Sequence, residues 1–217
     1  MAVTATQTVR EIIEAALQDI EAVTMGQPVP ARQAEHALAT LNRLSKAWQL
    51  RDETPSFLKA RQSLTLTTAA SYTLNPVRPM RILSARIKRA GIETPMLRLT
   101  REDYDNLPNK ATIGFPTQFY FDRQREASLF YVWPVLGVAA GETVEITYER
   151  EIEDLGINDT IDLPGEWYDV AVKQLAARLV GPYGSEAAKQ RLPGEAEYAL
   201  NMALAAGMDG ESVCWHG

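Results

Sequence analysis

The sequence contains few of the residues that most often bind metals or react with substrates. Among 217 residues there is one cysteine, Cys214, and there are two histidines, His36 and His216. A single cysteine excludes an intramolecular disulfide, so the fold needs no oxidising compartment. Cys214 and His216 lie close together in sequence, but a stable zinc site needs about three or four protein ligands. We therefore expect no metal site.

Motifs for cofactors and catalysis are missing as well. The sequence has no glycine-rich phosphate loop, no dinucleotide-binding glycine pattern and no G-x-S-x-G nucleophile elbow. Three carboxylates, Glu149, Glu151 and Glu153, would share one face of a continuing strand, and paired carboxylates can hydrolyse glycosides. That reaction requires one desolvated and one polar carboxylate, and nothing in the sequence implies such a difference. A solvated strand edge is the preferred interpretation, so we expect no cofactor, no catalytic residue and no enzyme.

Long apolar runs are also missing. The longest, from Leu129 to Ala140, has twelve residues and contains Pro134, so it is too short to span a bilayer and no membrane contact is expected. The first residues lack a basic segment followed by an apolar run, so we expect no signal peptide. The formal net charge of −6 disfavours a free-standing nucleic-acid binder, which usually carries net positive charge.

The spacing of apolar residues predicts helices at both ends of the chain. Residues 5–23 carry one apolar stripe, and a second stripe follows Pro30, which fits the first turn of a helix. The helical period returns after residues 162–164 and closes at Gly181-Pro-Tyr-Gly184. A last helical stretch, interrupted at Pro193-Gly194, extends to Ala206, and we expect the residues after it to be irregular.

Between the helical segments the period changes from 3.6 to 2, which predicts about six or seven strands. The clearest alternation covers residues 143–149, and Thr100-Arg-Glu-Asp103 indicates a short capped helical turn within this region. The order of elements predicts an α+β protein. We expect a helical bundle built from residues 1–58 and 160–217, with an antiparallel β-sheet or small sandwich inserted as residues 59–159.

Charge is divided into two blocks of opposite sign. Residues 78–101 contain seven basic side chains and one acid, Glu93, whereas residues 142–169 contain ten acids and one base, Arg150. Complementary patches on one molecule favour head-to-tail contacts between copies, which close into rings when the rotation allows it. Two alternatives stay open. Both blocks could be solvated faces, or the basic block could contact DNA phosphates.

A series of short sequence motifs, here called landmarks, resembles in order and spacing the motifs of one phage protein family. The landmarks are Ala37-Leu-Ala-Thr-Leu-Asn-Arg-Leu44 with Trp48, Leu66-Thr-Thr-Ala-Ala-Ser-Tyr-Thr-Leu74, Arg78-Pro79, Asp103-Tyr104 before Asn109-Lys110, Gly114-Phe-Pro116, Leu129-Phe-Tyr-Val-Trp-Pro134, and Asp162-Leu-Pro164 before Trp167. Together, over about residues 10–205, they resemble the head–tail adaptor proteins of short-tailed bacteriophages, also called packaged-DNA stabilisation proteins or tail accessory factors.

The resemblance implies a structural virion protein with no enzymatic activity. Members of this family form a homo-oligomeric ring, usually of twelve copies, beneath the portal at the capsid vertex. There they act in DNA packaging by retaining the genome, and they provide the platform for tail assembly. The implied partners are the portal protein, neighbouring adaptor copies, tail nozzle or tail fibre proteins, and the packaged DNA in the channel. The implied location is the virion neck, assembled in the host cytoplasm.

If the chain is a head–tail connector, as the resemblance implies, two sets of residues are its predicted contacts. Pro76 and Pro79 would end strand pairing in this chain, because each removes a backbone donor. The four arginines around and after them would face an acidic surface on an adjacent subunit. These arginines are Arg78, Arg81, Arg86 and Arg89. Three apolar residues near the end of the sequence, Met208, Val213 and Trp215, would dock on the portal.

Two other functions are compatible with the same residues. A β region with aromatic residues and carboxylates suits a carbohydrate-binding or glycan-cleaving virion module. The basic block of residues 78–101 suits a DNA-binding protein. Portal binding would favour the adaptor over both alternatives, and salt-dependent DNA binding would favour the last.

Overall fold

The computed structural model describes residues 7–50, 56–75 and 79–207. Several residues singled out above lie outside the described residues. They are Pro76, Arg78, Met208, Val213, Cys214, Trp215 and His216. The chain divides into two compact units, one formed by residues 1–57 and 152–217 and the other by residues 58–151.

The described residues form five α-helices and two four-stranded sheets, which confirms the predicted α+β class. The helices are α1 (Val9–Asp19), α2 (Ala31–Trp48), α3 (Arg101–Asp105), α4 (Tyr168–Tyr183) and α5 (Glu186–Gly207). The strands are β1 (Lys59–Thr65), β2 (Ser71–Thr73), β3 (Arg81–Arg89), β4 (Ile92–Pro95), β5 (Leu97–Leu99), β6 (Gln118–Asp122), β7 (Leu129–Trp133) and β8 (Thr143–Glu149).

The helical unit is built from the first two and the last two helices, as predicted. A capping box starts α1, since the Thr8 hydroxyl accepts a hydrogen bond from the Glu11 amide and the Glu11 carboxylate accepts one from the Thr8 amide. Helix α4 packs against α1, α2 and α5. Its Leu175 and Leu179 are fully buried, and each contributes on the order of 2 kcal/mol of burial energy.

Helix α5 differs from the prediction, because it runs unbroken through Pro193 and Gly194. A proline inside a helix costs about 3 kcal/mol, so other interactions must hold this turn together. Leu192 and Ala196 are buried on either side of it. The guanidinium of Arg191 also donates to both carboxylate oxygens of Glu195 at 2.8 Å. Tertiary packing therefore outweighs the local sequence signal.

The β unit is a small sandwich, which is one of the two predicted forms. Its sheets have the strand orders β1-β8-β3-β4 and β2-β7-β6-β5. One core holds inward side chains of both sheets, among them Ile87 and Ile146 from the first and Phe119, Phe130 and Val132 from the second. The Phe119 and Phe130 rings stack with centroids 5.1 Å apart.

Two features of the strands depart from the prediction. Eight strands occur in the described residues where six or seven were predicted, because β4 is exposed along its length and shows no alternation. The pairing of β5 with β6 is parallel, whereas the other named pairs are antiparallel. The predicted break between Tyr72 and Ile82 is where the chain leaves the second sheet, at β2, for the first sheet, at β3.

Residues 152–159 belong to the helical unit because side chains of α2 hold their backbone. The Asn42 amide donates to the Leu155 carbonyl at 3.0 Å and accepts from the Leu155 amide at 2.9 Å. The Lys46 ammonium donates to the Ile152 carbonyl at 2.5 Å. The division into two domains stays a prediction, with residues 1–58 and 160–217 in one and residues 59–159 in the other.

Candidate subunit and partner interface

Strand β3 presents the basic residues on the outer face of the first sheet. Its Ile82, Ala85 and Ile87 are buried in the sandwich core, so the alternating Arg86 and Lys88 face outward. The pairing register with β8 shifts between Ile82 and Ser84, and such a bulge re-aims the side chains around it. The predicted basic surface is therefore one face of an interior strand, with β8 on one side and β4 on the other.

Arg81 is engaged within its own chain. Its Nε lies 2.5 Å from a carboxylate oxygen of Glu149, the residue directly opposite on β8. The Glu149 side chain is only 5% exposed, whereas that of Arg81 is 43% exposed. The expectation that Glu149 belongs to a solvated strand edge is wrong, because β8 pairs on both sides and its neighbours cover the carboxylate. A covered carboxylate needs its cation, so Arg81 has a structural role.

Arg89 combines an internal contact with an exposed surface. Its Nε lies 3.5 Å from the buried carboxylate of Glu142, and its guanidinium lies 5.6 Å from the Phe115 ring centroid. The Ala140 amide donates to Glu142 at 2.9 Å. This bond and a bond from the backbone amide of Glu142 itself hold the pKa of that carboxyl below its ordinary value, and Arg89 adds to the effect. About three fifths of the Arg89 side chain stays accessible.

Arg86 and Lys88 are held only loosely. Both lie 3.9 Å from a carboxylate oxygen of Glu93 on the paired strand β4, and all three side chains are exposed. Exposed pairs at such distances contribute about 0–1 kcal/mol. Arg86, Lys88 and Arg89 therefore remain available to a partner.

The two charge blocks partly neutralise each other inside the chain. Strand β3 carries much of the basic block, β8 carries the first acids of the acidic block, and the two strands are directly paired. Other acids of that block, among them Glu166 and Asp169, belong to the helical unit and are exposed around the start of α4. The acidic surface that could meet a basic partner is therefore on the helices, a division that the sequence did not indicate.

A groove between α4 and α5 contains these acids. It has a volume of about 480 Å³ and combines apolar side chains with acidic ones. Tyr198 and Met202 of α5 stand 68% and 55% exposed beside it. Its Lys173 is tied to Asp19 at 2.8 Å and to Glu195 at 3.4 Å, and the hydrogen bond to Asp19 raises the pKa of Lys173. Sequence reasoning missed this groove, although Tyr198 and Met202 have the i, i+4 spacing of neighbours on one helix face.

A family model described as SU10 adaptor protein matches residues 7–212. The chain belongs to the SU10 adaptor protein family. The match covers parts of both units, so the predicted resemblance to phage head–tail adaptors is confirmed. The chain is a phage adaptor, a structural component of the virion. Among curated proteins, none matches it.

The aromatic residues of the adaptor fill two different faces of the second sheet. Tyr104 of α3 stacks on Tyr120 of β6 at 4.9 Å and lies 5.1 Å from Tyr131 of β7. Burial raises the pKa of Tyr104 and Tyr120. The guanidinium of Arg101 lies 5.7 Å from the Tyr120 ring centroid. Because these rings pack on one another, they stabilise the outer face of the sheet and offer little free surface for stacking a sugar.

The adaptor's predicted contact residues are brought together only in part. Arg81, Arg86 and Arg89 all lie on β3, but Arg81 is occupied by Glu149. Their predicted contact with a neighbouring subunit stays a prediction. Lys88 lies on the same face as Arg86 and was not singled out from the sequence, although alternation with Ile87 would have indicated it.

The described residues contain neither a cluster of metal ligands nor a helix that could span a membrane. In residues 7–50, 56–75 and 79–207, no group of three or more histidine, cysteine, aspartate or glutamate side chains could hold a metal ion. No helix in those same ranges has both the length and the apolar character needed to cross a membrane.

Proposed function

We propose that this adaptor forms a ring beneath the portal, helps to retain the packaged DNA and provides the platform to which the tail attaches. The observation that carries the proposal is the family match over residues 7–212. A ring also requires each copy to have two different surfaces that fit one another. The basic face of β3 and the acidic start of α4 supply surfaces of opposite sign.

Two of the proposed partners, neighbouring copies and the portal, are assigned to particular residues. Neighbouring copies, in a ring of about twelve, meet through Arg86, Lys88 and Arg89. Arg78, which lies outside the described residues, belongs to the same predicted set. The portal is met by Met208, Val213 and Trp215, which also lie outside the described residues. The remaining partners are tail nozzle or tail fibre proteins and the DNA in the channel.

The decisive experiment mixes the purified adaptor with portal rings and measures the mass of the product. We expect one complex with a fixed number of adaptor copies per portal, since a portal templates contacts that are individually weak. Trp215→Ala should reduce portal binding, whereas Trp133→Ala, placed in the β unit, should serve as a control for loss of one tryptophan. A mixture in which the two proteins elute separately at all concentrations would contradict the proposal.

The rival functions make different predictions. A DNA-binding protein would bind duplex DNA without the portal, and its affinity would fall steeply with salt. A glycan-cleaving module would need a carboxylate such as Glu149 or Glu151 to act on substrate, but Glu149 is buried beside Arg81 and Glu151 lies 3.4 Å from Arg123. Location of the protein in a reconstruction of the particle vertex would separate the adaptor from both.

A further inference from the structure

We propose that the tip of the β3–β4 hairpin of one copy inserts into the α4–α5 groove of a second copy. The inference rests on the proposed function in one respect, since it assumes that copies assemble side by side. Beyond that function, the inference specifies which surfaces of two neighbouring copies are in contact. The hairpin is a basic projection with an apolar tip, and the groove is an apolar depression with an acidic rim.

The hairpin tip is a tight and well-defined projection. Arg89 of β3 pairs with Ile92 of β4, and only Ala90 and Gly91 connect them. Both connecting residues have positive φ, 48° and 81°, the pattern of a type I′ turn, whose twist matches the flanking strands. Such a turn presents the next side chain in a fixed direction. That side chain is Ile92, which is 71% exposed.

The charge around this tip is positive. Arg86 and Lys88 are opposed on the hairpin only by Glu93. Arg89 lies 3.5 Å from Glu142, but 62% of its side chain is exposed. The contacts of Arg86 and Lys88 with Glu93 are long and exposed, so they are easily exchanged for contacts with another molecule. An exposed isoleucine at the end of a basic hairpin is typical of a contact residue, because interfaces commonly have a large apolar side chain at the centre and charged side chains at the rim.

The groove has the opposite character. Val170 and Ala203 are buried at its base, and Met202 and Tyr198 rise beside it. Glu166 and Asp169 are exposed at its margin, and neither has a basic partner in the part of the chain that the structure describes. Two unpaired carboxylates beside apolar surface would attract a basic projection and repel an acidic one.

Charge also argues against the chain's own last residues as the occupant. Residues 208–217 contain Asp209 and Glu211 and no lysine or arginine, so they carry the same sign as the groove margin. The hairpin carries the opposite sign. Because hairpin and groove are different surfaces, each copy offers one to each neighbour, and the contact is heterologous, as a closed ring requires.

The test is a crosslink that can form only between two copies. In a Cys214→Ser background, Ile92→Cys is made in one preparation and Met202→Cys in another, and the two are mixed and mildly oxidised, free and with portal rings. We expect a disulfide-linked heterodimer. The matched control replaces Ile92→Cys by Ile113→Cys, because Ile113 is also in the β unit and is 73% exposed. Equal crosslinking of the two pairs would overturn the inference.

Charge reversal supplies a second readout. Arg86→Glu with Lys88→Glu, or Glu166→Lys with Asp169→Lys, should each weaken association of copies about tenfold or more, and the four changes together should restore most of it. Arg125→Glu, on an exposed turn of the β unit, should have no such effect. Circular dichroism of each variant establishes that it is folded. If the folded variant with all four changes associates no more tightly than either double variant, the pairing of these surfaces is wrong.

The outcomes separate this inference from the proposed function. Complexes that assemble on the portal without a crosslink between positions 92 and 202 would refute the inference and leave the proposed function standing. A mixture with neither complex nor crosslink would contradict both. A crosslink that appears only after removal of residues 208–217 would assign the groove to those residues and overturn the inference.

Discussion

Replacing Arg81 should destabilise the β unit, and this separates Arg81 from the other arginines of β3. The change Arg81→Ala removes the cation 2.5 Å from a carboxylate that is 5% exposed. Losing one partner of a fully buried ion pair costs about 3–5 kcal/mol, because a charge is left buried and uncompensated. Two features lower that figure here. Arg81 itself is 43% exposed, and Lys59 lies opposite Glu149 on β1.

We therefore expect Arg81→Ala to lower the free energy of unfolding by about 1–3 kcal/mol. Urea unfolding followed by tryptophan fluorescence measures the loss, and the thermal midpoint should fall by about 2–4 °C per kcal/mol. Arg86→Ala is the matched control, because Arg86 is on the same strand, is exposed, and lies 3.9 Å from Glu93. Arg86→Ala should lower the free energy of unfolding by less than about 0.5 kcal/mol.

The double variant Arg81→Ala with Glu149→Gln tests whether the loss of stability comes from the uncompensated charge of Glu149. Once the buried carboxylate is neutral, the missing guanidinium no longer leaves a charge uncompensated, so most of the loss should disappear. A loss that is equally large in the Glu149→Gln background would refute the reasoning, as would a loss no larger than that of Arg86→Ala. That the four arginines of the basic block act at a subunit contact stays a prediction. Arg81→Glu would place a second carboxylate beside Glu149 and is a poor probe of assembly.

Three further predictions concern stability. Phe130→Ala should lower the free energy of unfolding by about 3–5 kcal/mol in denaturant titrations, because Phe130 is fully buried and stacks on Phe119. Ala90→Asn should raise it by about 0.5–1 kcal/mol, since asparagine tolerates the φ of 48° better than alanine; a decrease would contradict the turn assignment. The pKa of Glu142 is depressed below 4.5, so its contribution is present above that pH and is lost as pH falls through the lower folded-state value. Glu142→Gln should therefore cost stability at neutral pH and flatten the acid limb of a stability–pH curve, and an unchanged acid limb would disprove this.

Elements that depend on neighbouring residues were predicted correctly from the sequence. The capping box at Thr100 is formed as predicted, because a side chain three residues away reaches the orphan amide without help from the rest of the fold. Thr8 forms the same motif at the start of α1, although it was not predicted from the sequence. The alternation in β8 has the same local origin, since successive side chains point to opposite faces. The family resemblance rests on such landmarks and their order, and the match over residues 7–212 confirms it.

Sequence by itself determined which side chains are charged, which are apolar, and where most of the helices and strands lie. Only the tertiary structure decided which charges remain available to another molecule. Arg81 and Glu149 are separated by 68 positions, and they are in contact because β3 pairs with β8. Burial of the whole sandwich core favours that pairing. Likewise, α5 continues through Pro193 because its buried side chains are held by the rest of the bundle. Local pattern cannot supply either result, since the free energy responsible comes from residues far away in the chain.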